Sequence, residues 1–259
     1  MPVLNKELRQ KIVDIIINSK EGHIPSAFSI VDIINYLYEK KIKLPKKNNW
    51  NKRDYFFLSK GHGCAALYVV LNKFKILSDK DLNSYGNFGS KLGGHPDMTK
   101  IFGVEASTGS LGHGLPTAVG VALGLKIKNK NNKVYCLIGD GECHEGSIWE
   151  AANLASNLHL NNLICFLDWN KSAQKLLKIE NLKKKWEAFG WKSSIADGHS
   201  EKSLDKCFIK NKQKKDRPRI IICKNIKGKG VSFIEDNPVW HHKIPSNEEY
   251  YLIKKELTA

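Results

Sequence analysis

Apolar residues recur along this chain in two alternating rhythms. Over residues 4–18, Leu4, Leu8, Ile12, Ile15 and Ile16 fall at helical spacing. A second helix is predicted over 29–40, with Ser29 as its N-cap. Residues 54–58 read as a strand and 63–75 as a helix. Residues 86–114 are glycine-rich with little periodicity, which predicts loop. A small-residue helix follows at 115–127. The unbroken apolar run 134–138 has the length and flanks of a buried parallel strand. Helix 147–159, strand 163–168, helix 178–189, strand 191–196, a helix near 201–210 and strand 219–223 complete the alternation. Ser246 with Glu249 predicts a capping box for a last helix.

Strands separated by helices imply an α/β fold: a mostly parallel sheet with helices on both faces. No internal repeat or low-complexity linker interrupts residues 1–259, so a single domain is expected. In such sheets ligands bind beyond the carboxyl ends of the strands.

Charge changes this picture little. The formal net charge is +16, from 42 Lys+Arg against 26 Asp+Glu. Basic runs at 40–47, 126–133, 183–185 and 210–215 are spread along the chain without interleaved aromatics, unlike a single-strand nucleic-acid binder. They read as solvated surface, and an acidic partner or anionic substrates would suit them. None of the six cysteines forms a CxxC pair, and several sit inside apolar runs as small buried hydrophobes. That usage fits a reducing compartment, taken as the cytoplasm. No apolar run approaches 18 residues, so no membrane helix is expected.

The chemistry gathers at strand ends. Run 134–138 leads into Gly139-Asp140-Gly141-Glu142, where two glycines let the backbone turn sharply and approach a ligand. A helix N-terminus follows and favours phosphate, yet Asp140 is itself anionic. A divalent cation between the two resolves the conflict. Mg²⁺ takes oxygen ligands. The neighbouring strand 163–168 ends near Asn170, which could give a second oxygen, and the next turn a carbonyl.

Gly139-Asp140-Gly141 followed by Asn170 resembles the thiamine-diphosphate motif, and its flank through Ala152 resembles the transketolase version of it. Upstream, Ser59-Lys60-Gly61-His62-Gly63, Gly94-His95-Pro96 and Ser107-Thr108-Gly109-Ser110-Leu111-Gly112-His113-Gly114 resemble that family's segments in order. Gly22-His23 and Trp240-His241 do so at the two ends.

The resemblance to the transketolase family implies thiamine diphosphate and Mg²⁺ as cofactors. It implies Asp140 and Asn170 as metal ligands by side chain and Ser172 by its carbonyl. Gly141 would approach the diphosphate, and Gly109, Ser110 and Leu111 would contact the cofactor. His23, His62, His95 and His241 would line the channel to the reactive carbon, with His62 and His241 also touching the cofactor. His242 adjoins His241 and is an alternative liner. Glu145 would join a carboxylate network between paired sites. Glu142 reads simply as a first-turn helix residue. His144, His159 and His199 are read as surface or satisfied residues, and Trp149, Trp186 and Trp191 as core.

Three departures from the family pattern stand out. Gly22-His23-Ile24-Pro25-Ser26 lacks the usual proline and glycines directly after the histidine, His113 replaces a glutamine, and the stretch after Asn170 lacks a glycine. Nothing in the chain resembles the family's pyrimidine-binding or C-terminal domains. The expected arrangement is therefore a split transketolase. A separate C-terminal subunit would complete the site, in a hetero-oligomer of two of each chain acting on sugars or sugar phosphates. Two other readings stay open: a 2-oxoacid or deoxyxylulose-type thiamine-diphosphate enzyme, and a basic nucleic-acid-binding protein.

Overall fold

The structure, a computed structural model, describes residues 4–45, 47–210 and 216–258. Position 46 and residues 211–215 of the basic runs lie outside the described residues. Among the described residues five strands form one sheet: β1 (Tyr55–Leu58), β2 (Val134–Gly139), β3 (Leu163–Trp169), β4 (Lys192–Asp197) and β5 (Arg219–Lys224). Their order is β1-β2-β3-β5-β4, and every pairing is parallel.

Side chains alternate across a strand, so each strand feeds two cores. Leu58, Leu137, Phe166 and Ile221 join one core, packed by helices α1 (Lys6–Ser19), α2 (Ile24–Lys40) and α3 (Cys64–Lys73). Phe57, Cys136, Cys165 and Ile222 join the other, with helices α5 (Gly114–Ile127), α6 (Gly146–Asn157) and α7 (Leu182–Ala188). Both faces are covered, which is why the central strands read as unbroken apolar runs. Helix α4 (Asp79–Asn83) is a short turn after α3 that the apolar pattern does not predict. Helices α8 (Glu201–Lys210) and α9 (Asn247–Thr258) complete the first core's cover.

All six cysteines are free and buried. Trp186 and Trp191 are core residues, and Trp149 packs against them half-buried. Among the described residues no helix is long and apolar enough to cross a membrane. The predicted capping box is present: the Glu249 amide donates to Ser246 Oγ at 3.2 Å and the Ser246 amide to Glu249 Oε2 at 2.9 Å.

Two helix boundaries need correction. Helix α2 starts at Ile24, not at Ser29, because Pro25 sits in the first turn, where its missing N–H costs nothing. Ser29 is therefore no cap. It is a fully buried residue in the second turn, and its hydroxyl donates into the sheet. Helix α7 covers only Leu182–Ala188 rather than 178–189.

A candidate active site at the carboxyl edge of the sheet

Strands β2 and β3 pair in register as far as Gly139 and Asp168, so their carboxyl ends lie level. The Asp140 amide donates to the Asp168 carbonyl at 3.1 Å, placing Asp140 beside the end of β3. Asp140 is buried, and its Oδ2 has no hydrogen-bond partner. Burial first, and then repulsion from Asp168, pushes its carboxyl up to about 6, while Lys60 partly offsets the shift.

Asp168 is fully buried and surrounded by donors. Ser29 Oγ reaches it at 2.7 Å, Lys60 Nζ at 2.6 Å, Asn225 Nδ2 at 2.6 Å and Asn170 Nδ2 at 2.9 Å. With its own oxygens taken, Asp168 works as a fixed anion that orients its neighbours. It holds the Asn170 amide by the nitrogen, leaving Oδ1 to accept from the Ser172 amide at 3.0 Å with a lone pair to spare.

Lys227 Nζ donates to Ser172 Oγ at 2.7 Å and lies 3.0 Å from His241 Nδ1. Asn170, Ser172, Leu176, Lys227, Pro238 and His241 line a cleft of about 330 Å³. Among the described residues no group of three His, Cys, Asp or Glu is placed to hold a metal. The donor set here is of another kind: an orphaned carboxylate oxygen, an amide oxygen and nearby backbone. Such hard oxygens fit Mg²⁺, and Lys227 supplies positive charge for a diphosphate.

The second group is a cluster of imidazoles. The His23 ring centroid lies 5.5 Å from that of His62, 5.3 Å from His241 and 4.6 Å from His242. His95 is exposed and packs on the 109–112 loop, where a Cβ on Gly109 would fall 3.3 Å from its ring. Gly109 has φ +156°, a backbone that also resists a side chain. Burial, then the neighbouring imidazoles and Lys227, lowers His23 to about 4, and burial, then Lys60, lowers His62 to about 2. Burial and Lys227 lower His241 as well. These rings are therefore neutral near pH 7, each able to donate and accept a hydrogen bond. His23 Nδ1 is buried without a partner, an unmet capacity inside the cluster.

Glu142 stands in the first turn of the short 3-10 helix Gly141–His144, as expected, and does more there than face a helix dipole. Its buried carboxylate accepts from the Gly139 amide at 2.8 Å, the Gly112 amide at 3.0 Å and the Ser59 hydroxyl. It thus ties together the glycine-rich segments around residues 59, 112 and 139. Glu145 is exposed and packs against Gly112. Ser110 is exposed and Leu111 half-buried in the same loop, while a Cβ added at Gly141 would meet only Ala173, at 3.6 Å.

His144 and His159 are exposed, and His199 is satisfied by Asp32 at 2.8 Å and by the Ile226 amide at 3.1 Å. The sequence pattern assigns no role to Lys60, Asp168, Asn225 or Lys227. Most of their partners, Lys60 and Asn225 on Asp168 and Ser172 on Lys227, lie 55 or more residues away in the chain, and only the Lys60 segment lies in a recognisable motif.

A parallel sheet that gathers an unpaired aspartate, an oriented asparagine and neutral imidazoles at one edge defines a cofactor-binding α/β enzyme domain. Residues 3–257 match the family described as "Transketolase, thiamine diphosphate binding domain". The chain is 40% identical over 259 residues to one subunit of the apulose-4-phosphate transketolase of Actinobacillus succinogenes, covering 97% of this chain and 94% of that one. It is 36% identical over 242 residues to a 6-deoxy-6-sulfo-D-fructose transketolase subunit of Clostridium sp., covering 91% and 88%. A crystal structure of transketolase from Campylobacter jejuni superposes with a TM-score of 0.89 at 31% identity, over 97% of this chain and 41% of that one. The chain belongs to the transketolase family, as its thiamine-diphosphate-binding domain. It spans about two fifths of that solved transketolase.

Proposed function

We propose that residues 1–259 act as one diphosphate-binding domain, the half of a two-chain transketolase that holds thiamine diphosphate and Mg²⁺. The orphaned Oδ2 of Asp140 beside the oriented Asn170 carries this reading. Asp140 and Asn170 ligate the metal by side chain and Ser172 by its carbonyl. Gly141 admits the diphosphate, and Lys227 on the wall of the cleft neutralises it. Gly109, Ser110 and Leu111 form the wall behind the cofactor.

Bound thiamine diphosphate supplies a carbanion equivalent and an electron sink. In the reaction the C2–C3 bond of a ketose breaks and its remainder leaves as an aldose. The two-carbon ketol unit then forms a new C–C bond to the aldehyde carbon of a second sugar or sugar phosphate, without net redox change. Protons must come off and return to sugar oxygens along this route. The imidazoles of His23, His62, His95 and His241 are suited to accept and return them. Several imidazoles in one channel favour hydroxyl-rich sugars over 2-oxoacids.

The site requires a pyrimidine-binding domain, and a separate C-terminal subunit would bring it. Two relatives of nearly the same length are named as transketolase subunits, which supports this arrangement. Exposed Glu145 suits contact across a pair of such sites in a heterotetramer. Six unpaired cysteines suit the cytoplasm. The direct test mixes the chain with its gene-neighbour partner, thiamine diphosphate, Mg²⁺, a ketose donor and an aldose acceptor. Cofactor-dependent ketol transfer is expected, and none with any aldose would refute the proposal.

A further inference from the structure

A second cavity, of about 670 Å³, opens at the carboxyl ends of β3, β5 and β4. It is larger than the cleft at Asn170 and shares no lining residue with it. Trp169, Lys171, Ile195, Lys224, Asn225 and Ile226 stand on its wall. Lys171 Nζ lies 5.9 Å and Lys224 Nζ 5.8 Å from the centre of the Trp169 ring, so two ammoniums converge on one indole. Both lysines are exposed, and among the described residues neither forms an ion pair. The other charges on the wall are engaged. Asp32 Oδ2 pairs with Arg9 at 2.7 Å, Asp197 Oδ1 accepts from the His199 amide at 2.9 Å, and Lys229 pairs with Glu235 at 3.2 Å. Lys171 and Lys224 leave the wall with an excess of positive charge. Beside them Ile195 is 42% exposed, a large apolar side chain left open on β4. Trp169 Nε1 and Asn225 Oδ1 are buried without hydrogen-bond partners.

We propose that this cavity is a second ligand site, apart from the cofactor cleft, and that it takes a small organic phosphate of nucleotide size. Its volume falls within the span of about 300–1,000 Å³ usual for small-molecule sites. Lys171 and Lys224 act as point charges on either side of a phosphate. The body of the ligand packs on Trp169, Ile195 and Ile226, and its oxygens and hydroxyls answer the unmet Nε1 donor and Oδ1 acceptor. A metal cation would be repelled here, and inorganic phosphate alone would leave the apolar wall in water. Lys171 follows Asn170, and Asn225 donates to Asp168 at 2.6 Å, so an occupant rests on the loops that orient the proposed metal ligands. The inference stands on this cavity and not on the transketolase reading.

Adenosine monophosphate is the probe, with adenosine and inorganic phosphate as its two halves. Each is titrated calorimetrically into the full chain, alone and assembled with its partner under saturating thiamine diphosphate and Mg²⁺. The chain is expected to bind the monophosphate about tenfold or more tighter than either half, in both settings. Lys224→Glu reverses a charge and Ile195→Trp fills the cavity. Each should weaken that binding by about tenfold or more, with circular dichroism and thiamine diphosphate affinity unchanged. Several results would overturn the proposal: no binding to the native chain, binding no tighter than inorganic phosphate, binding that survives either variant, displacement by thiamine diphosphate, or loss on assembly. The arm with the chain alone needs no ketol transfer, so the transketolase reading stands or fails on its own test.

Discussion

Asn170 Nδ2 donates to Asp168 Oδ2 at 2.9 Å, so a fully buried carboxylate sets which end of the Asn170 amide faces the site. Flipping the amide would turn its nitrogen toward the cleft and remove an oxygen donor. Asp168 also closes a buried ion pair with Lys60, whose side chain is 3% exposed.

Removing Asp168 alone should therefore be costly. Asp168→Ala strands the Lys60 ammonium and is expected to destabilise the chain by about 3–5 kcal/mol. The double variant Lys60→Met, Asp168→Leu should lose less than the sum of the two single changes. Urea unfolding of all four proteins measures both effects. Additive losses would show that the two groups are not coupled.

Stability should depend on pH with opposite signs at two residues. The Asp140 carboxyl is raised to about 6, above its unfolded value of 3.8. Between these values the folded chain binds more protons than the unfolded one, so this group's contribution falls as pH rises, by up to about 3 kcal/mol. His62 is lowered to about 2 from 6.5. There the unfolded chain binds more protons, so stability rises with pH over that window. Unfolding curves from pH 4 to 7 without metal, compared with Asp140→Asn and His62→Asn, isolate each slope. Curves parallel to the native protein's would contradict the assignment.

Glu142 should behave as an anchor of the fold. Its carboxylate serves two amides and a hydroxyl in a buried setting. Glu142→Ala leaves those donors unpaired and should cost about 2–4 kcal/mol, with Glu142→Gln intermediate. Thermal unfolding checks this. A loss under about 0.5 kcal/mol, typical of surface sites, would contradict it.

Lys227 should act on ligand binding more than on stability. Its ammonium joins Ser172 to His241 at the half-buried wall of the cleft. Lys227→Ala is expected to weaken thiamine diphosphate binding about tenfold, the effect of one charge-assisted contact to phosphate. Fluorescence titration of the assembled enzyme reads the change.

The parallel sheet is legible in the sequence because its strands are unbroken apolar runs, and Asp140 and Asn170 are legible because each ends one of them. Ser29 reads as a cap because α2 is buried along nearly its whole length, which flattens the periodicity that marks a helix start. Asp168 carries no signal: it sits within a strand, and its partners Ser29, Lys60 and Asn225 lie 139, 108 and 57 residues away. Glu142 looks like any acidic first-turn residue, because its three donors are brought to it by loops whose path the sequence pattern does not fix. Motifs point to the residues proposed to face the ligand. The residues that orient them are joined only by the fold.

The central claim is that this chain holds the diphosphate and metal half of a shared site. Calorimetric titration of thiamine diphosphate with Mg²⁺ tests it most directly, into the chain alone, into the chain with its partner, and into both with Asp140→Ala. Tight binding with the partner present, abolished by Asp140→Ala, is the expected result. Binding that survives Asp140→Ala, or no binding in any mixture, would contradict the account.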